Sequence, residues 1–477
     1  MINWRFKILF KISIFSVLLI VSGCARKTQR GDAYIGGEIK NPSSKTVYVY
    51  REGEVVDTLS LDDQNFFELH LSDITTGMYS FMHGNEYQLA VVEPGDSIVV
   101  RGNTIDFDQS LVYMGRGAKK NNFLVQLFLE MEQESQSMFE ISQMMPKAFV
   151  IRIDSLELGK TERLNKFLKQ NKHSEVYHDL IKAGIKYNYG AMREAYPFRH
   201  FDRLDKVTLE QLPENYFDFR SDLNYNDAQL AHFHHYYNYL FPHFNTLALQ
   251  QLVEERPDRP VNQQSPEFYL TKLGLMDARI SDPIIKNNIL KYTTKSLLSN
   301  SNNPRQQEDL LQFFYNHSQS DSDKAYMANW FSSLTKIDVG QRFPEVEVID
   351  TNGNTMNIHQ LFDRTTVCTF WTTEAKAHFE NSHERLAYLR KTFDQVNFIS
   401  INTDNNQSEE WESFLRGPEV VRTSEYRFRD PNAAKKILAL YNVNKVVLVD
   451  NKGKVVLPNA NLFSRKFNYK LNSLSKN

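Results

Sequence analysis

The spacing of apolar residues changes twice along this chain of 477 residues, and those changes limit the fold more than any single motif does. From residue 31 to about 115, apolar and polar residues alternate in short runs: AYIGGEIK, KTVYVYR, FFELHL, MYSFMH, YQLAVV and SIVVRG. A period of two belongs to half-buried strands. Turn formers separate the runs at Asn41-Pro42, Gly77, Gly84-Asn85 and Pro94-Gly95-Asp96. Strands at this spacing predict a small β-sandwich over 31–115, with Pro94-Gly95-Asp96 as a turn rather than a ligand site. From 118 to 335 the spacing lengthens to three and four, as in FLVQLFLEMEQESQSMF, VYHDLIKAGIKYNYGAM and QEDLLQFFYNH. That period predicts an all-α middle region, divided into several helices by Pro213, Pro242 and Pro304. From 338 to 477 strands alternate with helices: TTVCTFW, NSHERLAYLRKTF, VNFISINTD, SEEWESFLRG, the short extended SEYRFRD, PNAAKKILALYNV, the hairpin KVVLVD-NKG-KVVL and a last helix in SRKFNYKLNSL. Such an order predicts a central sheet covered on both faces, an α/β domain.

Residues 1–23 stand apart. Arg5 and Lys7 precede ILFKISIFSVLLIV, an apolar stretch too short and too interrupted for a comfortable membrane span. It ends in Val21-Ser22-Gly23-Cys24, which resembles the lipobox of bacterial lipoproteins. The resemblance implies a signal peptide cleaved before Cys24, acylation of that thiol (palmitate among the chains) and of the new amino terminus, and a membrane anchor. Each buried CH₂ of such chains contributes about 0.8 kcal/mol. Ala25, with no acidic residue after the cysteine, fits outer-membrane sorting by the same resemblance, with the body expected in the periplasm. Residues 24–30 are then a lipidated tether, with Arg26, Lys27 and Arg30 near anionic headgroups. The chain has two cysteines, so Cys368 is left alone and no intrachain disulfide is expected. A net charge of −2 excludes a general nucleic-acid binder, which needs a basic surface.

One cluster in the middle region has metal-binding residue types. In AHFHHYYNYLFPHF, His232 and His235 would share a helix face, with His234 and His243 nearby. Imidazoles at that spacing can hold zinc or copper. The competing arrangement packs the Phe and Tyr inward and turns some His outward. No H-E-x-x-H pattern accompanies them, so no metal and no other cofactor is assigned. No phosphate-binding glycine loop occurs either.

The last 140 residues resemble the thioredoxin-like fold, within it the exported thiol–disulfide oxidoreductases and peroxiredoxin-like proteins. The resemblance is carried by Gly340 to Pro344, by Phe370-Trp371-Thr372-Thr373 at the end of a strand, and by Val449-Asp450-Asn451-Lys452-Gly453. The β region is similar to the N-terminal domain of certain Gram-negative lipoproteins, through a G-x-I strand, Val56-Asp57-Thr58 and the P-G-D turn. In active members a C-x-x-C motif follows one residue after the F-W-x-T stretch. Here Glu374 holds the intervening place, Ala375 the first cysteine position and His378 the second. A methyl group cannot attack sulfur, and His378 has no nucleophile beside it. The family's cis-proline is also missing: YNVNKVVLVD runs through with Asn444 or Lys445 at that point. Cys368 lies inside the strand, seven residues before Ala375, among apolar neighbours, where a thiol packs as a small hydrophobe. The expectation is therefore a membrane-anchored envelope lipoprotein whose redox-inactive thioredoxin-like domain serves as a binding or scaffold module, with envelope proteins or peptides as partners. The alternatives are an oxidoreductase or peroxidase using Cys368, and a metal or small-ligand receptor using the histidine-rich helix.

Overall fold

The computed structural model describes residues 30–474 except 85, 105–106, 302, 374, 406–407 and 441–442. The signal peptide, Cys24, Arg26, Lys27, Asn85 and Glu374 lie outside the described residues.

Eight strands form the N-terminal region: β1 (Gly31–Lys40), β2 (Thr46–Arg51), β3 (Glu54–Ser60), β4 (Phe66–Ile74), β5 (Gly77–His83), β6 (Glu86–Val92), β7 (Ser97–Asn103) and β8 (Val112–Arg116). They make two four-stranded sheets, in the orders β4-β1-β7-β8 and β3-β2-β5-β6. β1 runs antiparallel to β4, with Ile35 opposite Leu69, and parallel to β7, with Ile35 opposite Ile98. Ile35, Leu69 and Ile98 of one sheet and Val47, Val49 and Phe81 of the other meet in one core. Two strands had no counterpart among the alternating runs. β3 is exposed along nearly its whole length, so it carries no apolar alternation, and β8 is short with one buried residue. Gly95 at φ +89° makes the turn between β6 and β7, a conformation that a Cβ disfavours. Arg30, expected in the tether, forms a surface ion pair with Asp73 at 2.7 Å.

The middle region is helical: α1 (Ala118–Gln136), α2 (Pro146–Gln170), α3 (Glu175–His200), α4 (His234–Glu255), α5 (Pro266–Arg279), α6 (Pro283–Asn300), α7 (Pro304–His317) and α8 (Asp321–Thr335), with shorter turns between them. Four of these helices open with proline in the first turn, where the missing N–H costs nothing. Ser174, Ser265, Asp282, Asn303 and Ser320 cap their helices with side-chain oxygens. Pro304 therefore marks a helix start, as expected, but Pro242 does not interrupt: it lies inside α4, which runs on to Glu255. The interior proline costs roughly 3 kcal/mol. Burial of Tyr236, Tyr239, Leu240, Phe244 and Leu249 in the shared core outweighs that cost. α3 also continues past an internal proline, Pro197. No described helix is long and apolar enough to cross a membrane.

The C-terminal region holds β9 (Glu347–Asp350), β10 (Thr355–Asn357), β11 (Thr366–Trp371), β12 (Asn397–Asn402), β13 (Glu425–Phe428), β14 (Val446–Val449) and β15 (Val455–Ala460). Between and after these strands lie α9 (Lys376–Thr392), α10 (Ser408–Phe414), α11 (Pro431–Ile437) and α12 (Arg465–Leu474). The sheet order is β10-β9-β13-β12-β11-β14-β15. β11 pairs parallel with β12 and antiparallel with β14. All six residues of β11 are buried, which is the continuous apolar strand of a sheet covered on both faces. Val367 faces the core shared with Leu386 of α9 and Leu471 of α12; Cys368 and Phe370 face the core shared with Ala434 of α11. SEYRFRD, expected as a short extended piece, is the inner strand β13 between β12 and β9.

The β region is joined to the helices by a buried ion cluster. Lys120 of α1, 1% exposed at its side chain, is paired with Asp96 of the turn after β6 and, at 3.2 Å, with Glu93. The Ser174 N–H donates to Glu93 at 2.8 Å, and the Tyr177 hydroxyl donates to the Lys120 carbonyl at 2.8 Å. Asn121 accepts from the Val91 N–H at 2.8 Å and donates to the Val91 carbonyl at 3.1 Å, satisfying the end of β6 as another strand would.

Candidate functional site

β11 ends in Trp371, 1% exposed, and the chain turns at Thr372-Thr373 into α9. Asp404, just past β12, holds that turn. It accepts from the Thr373 N–H at 2.7 Å, from Asn402 Nδ2 at 2.9 Å and from the Thr372 hydroxyl. Ala375 is the residue that caps α9, and its methyl side chain accepts nothing. Its carbonyl takes the Phe379 N–H at 3.0 Å, so the first turn is ordinary helix, and among the described residues no thiol stands at its mouth. His378 is half-buried one turn further on. Its Nε2 lies 3.3 Å from the Ser382 hydroxyl. Burial, and then the neighbouring His383, hold the His378 imidazole below its ordinary pKa.

Cys368 is fully buried, opposite Ile399 of β12 and Val447 of β14. Burial pushes its thiol far above the ordinary range. A thiolate is the nucleophile in sulfur exchange, and burial in the sheet disfavours that form of this side chain.

Behind Trp371 lies a pair that the residue patterns did not single out. His383 of α9 and Glu425 of β13 are 2% and 0% exposed, with Nε2 and Oε1 3.1 Å apart. His383 Nδ1 lies 2.8 Å from the Phe379 carbonyl, and the Ser400 hydroxyl lies 3.3 Å from Nε2. Burial raises the Glu425 carboxyl above its ordinary value, and the contact with His383 only partly opposes it. Nothing in SEYRFRD marks the glutamate as interior, because its partner is 42 residues away. The raised pKa sets a pH dependence. Folding takes up a proton between the unfolded carboxyl pKa, about 4.3, and the higher folded value. This contribution is most favourable below the unfolded pKa and is lost as pH rises through the folded one. Glu425→Gln, uncharged throughout, should therefore gain in melting temperature relative to the unmodified chain as pH rises from about 4 to about 7. A difference that stays constant over that range in thermal unfolding would show that Glu425 does not carry the effect.

The residues around α9 open onto a cleft of about 1190 Å³. His378, Ser382, Asn444, Asn459, Asn461 and Phe463 line it from the C-terminal region; Gln263, Gln264, Tyr269 and Asn300 line it from the helical region. Asn459 Nδ2 donates to the Ser299 carbonyl at 2.7 Å, which ties the two walls together. Where the resemblance places a cis-proline, the chain has Asn444 and Lys445, and no described peptide bond is cis. Lys445 turns inward and donates to the Leu438 carbonyl at 3.0 Å; burial pulls its ammonium down to about 8. Amide side chains both donate and accept; among the described residues that line the cleft, Lys470 brings an ammonium and none brings a carboxylate.

The histidine cluster is dispersed. α4 begins at His234, so His232 precedes the helix and does not share a face with His235. The His232 ring sits on the turn between β2 and β3, so close that a Cβ added at Gly53 would come within 2.7 Å of it. His235 packs on Phe128 with ring centroids 4.4 Å apart. His243 points into the core, 2.6 Å from Glu194 and 2.7 Å from the Tyr225 hydroxyl. Among the described residues no group of three or more His, Cys, Asp or Glu side chains is placed to hold a metal ion.

No family model matches the chain, and no curated protein matches it. Solved structures resemble it in part. The thioredoxin domain of a thiol-disulfide oxidoreductase from Bacteroides vulgatus is 17% identical, at a TM-score of 0.24, over 28% of this chain and 97% of that one. A thiol:disulfide interchange protein from Bacteroides sp. is 18% identical, at a TM-score of 0.23, over 25% of this chain and 78% of that one. An SCO1/SenC family lipoprotein from Bacillus anthracis is 14% identical, at a TM-score of 0.25, over 28% of this chain and 96% of that one. The neighbours are thus thioredoxin-like domains that match under a third of the chain, and no activity passes to this protein from them.

Proposed function

We propose that the protein is a lipid-anchored binding module of the bacterial cell envelope, with a thioredoxin-like domain that has lost thiol chemistry. The ligand in this reading is an extended peptide segment of an envelope protein. One observation carries it: the start of α9 presents Ala375 and His378 beside a wide cleft, and the remaining thiol, Cys368, is buried within the sheet. The cleft's size and its amide walls support an extended chain, whose backbone offers an alternating row of donors and acceptors. Gln263, Gln264 and Asn300 would make hydrogen bonds from the helical side while Tyr269 and Phe463 cover apolar side chains. The anchor in this reading is acylated Cys24, with the body in the periplasm at the outer membrane.

The test uses the full chain in its own cells, with a photoreactive phenylalanine analogue at Phe463, which is 55% exposed on the cleft wall. Irradiation should couple the protein to a polypeptide partner. Asn461→Arg, which puts a bulky charge on the same wall, should lower that yield by about tenfold, the effect of roughly 1.4 kcal/mol. Mass spectrometry of the same material should find an acylated Cys24 at the amino terminus. Equal coupling with Asn461→Arg, or from a probe at Val55 of β3, which is 52% exposed and does not line the cleft, would remove the cleft from the reading; an unmodified Cys24 would remove the anchor.

A further inference from the structure

α2 is amphipathic on two sides. Phe149, Ile153 and Leu164 point into the core. On the opposite face Ala148, Ile151, Ser155 and Leu158 stand exposed at steps of three and four, Ile151 at 70% and Leu158 at 58%. Met144 and Met145 are exposed just before the helix, and Phe139 is 75% exposed nearby in the chain. Spacing of three and four residues is the seam by which two helices pack side by side.

We propose that this face pairs with the same face of a second copy of this chain, antiparallel, about a two-fold axis at Ile151. A two-fold interface must be self-complementary. Side-chain size along the seam satisfies that condition. Ile151 meets its own copy and Ala148 meets Ser155, so the large residue at the axis faces a large one and each small residue a small one. Charge decides the direction. Lys147 and Asp154 are exposed on the same flank of α2, four residues before Ile151 and three after it. Antiparallel packing sets Lys147 of each copy beside Asp154 of the other, twice by symmetry. A parallel two-fold pair brings opposite flanks together and makes neither of these contacts. Asp154 already meets Arg193 of its own chain at 2.6 Å and is still 58% exposed at its side chain, so the second contact would extend an existing pair.

The test is cysteine crosslinking of the full chain in membranes. Ile151→Cys should oxidise to a covalent dimer in most of the protein. Glu162→Cys, eleven positions further along, lies about 33 Å from its copy in the antiparallel pair, at 1.5 Å per residue, and should stay at the level of the unmodified chain. Ile151→Glu should give the mass of a single chain in detergent by light scattering, where the unmodified chain gives twice that mass. Equal crosslinking at both positions would overturn the antiparallel geometry. Failure at Ile151→Cys, or labelling of that thiol by a probe dissolved in the bilayer, would overturn the dimer.

Discussion

Replacing Lys120 with Met should lower the unfolding free energy by about 3–5 kcal/mol, because it leaves buried carboxylates without their cation. Asp96 is 8% exposed at its side chain and Glu93 18%, and Lys120 is the cation that both reach. Burial lifts the Asp96 carboxyl above its ordinary value even with Lys120 in place. The cluster is therefore costly to break without being a large net source of stability. Adding Asp96→Asn to Lys120→Met should recover more than half of the loss, since the second change removes the stranded charge. Because the β region and the helices meet at this cluster, the loss should fall on the first transition in urea. A Lys120→Met chain within about 1 kcal/mol of the original, below the range for a broken buried pair, would place the junction elsewhere.

The second large effect concerns sulfur. The unmodified chain should reduce insulin in the presence of dithiothreitol no faster than dithiothreitol does alone, and Cys368→Ser should change nothing. Ala375→Cys together with His378→Cys should restore turnover. A thiol at a helix N-terminus has its pKa lowered from about 8.5 towards about 7. Roughly half of it is then ionised at pH 7, against a few per cent for an ordinary thiol. The double variant should therefore exceed the single variant His378→Cys by about tenfold or more. Turnover by the unmodified chain that vanished in Cys368→Ser would reverse the proposed function in favour of an oxidoreductase. The burial of Cys368 between β12 and β14 is the reason to expect otherwise.

The chain's architecture was legible where the signal is local. Alternation marked six of the eight N-terminal strands, and it missed β3, which buries almost nothing. The three-and-four period marks the helices, but Pro242, a breaker by its local chemistry, lies inside α4. A proline's local cost is visible in sequence, whereas the packing that outweighs it comes from α3 and other distant elements. His232 and His235 show the same limit: a spacing implies a shared face only if the helix spans both, and α4 starts between them.

What the sequence alone determined is the absence of a thiol at the start of α9, the isolation of Cys368 in a buried strand, and the order of β, α and α/β regions. Each follows from residue identity and short-range period. Only the tertiary structure decided that Gln264 and Asn300 face His378 across one cleft, that Glu425 lies against His383, and that Lys120 closes onto Asp96. Those partners are separated by 24 to 114 positions for the contacts named. Burial and electrostatic pairing at such separations depend on how whole elements pack, and no period along the chain encodes that.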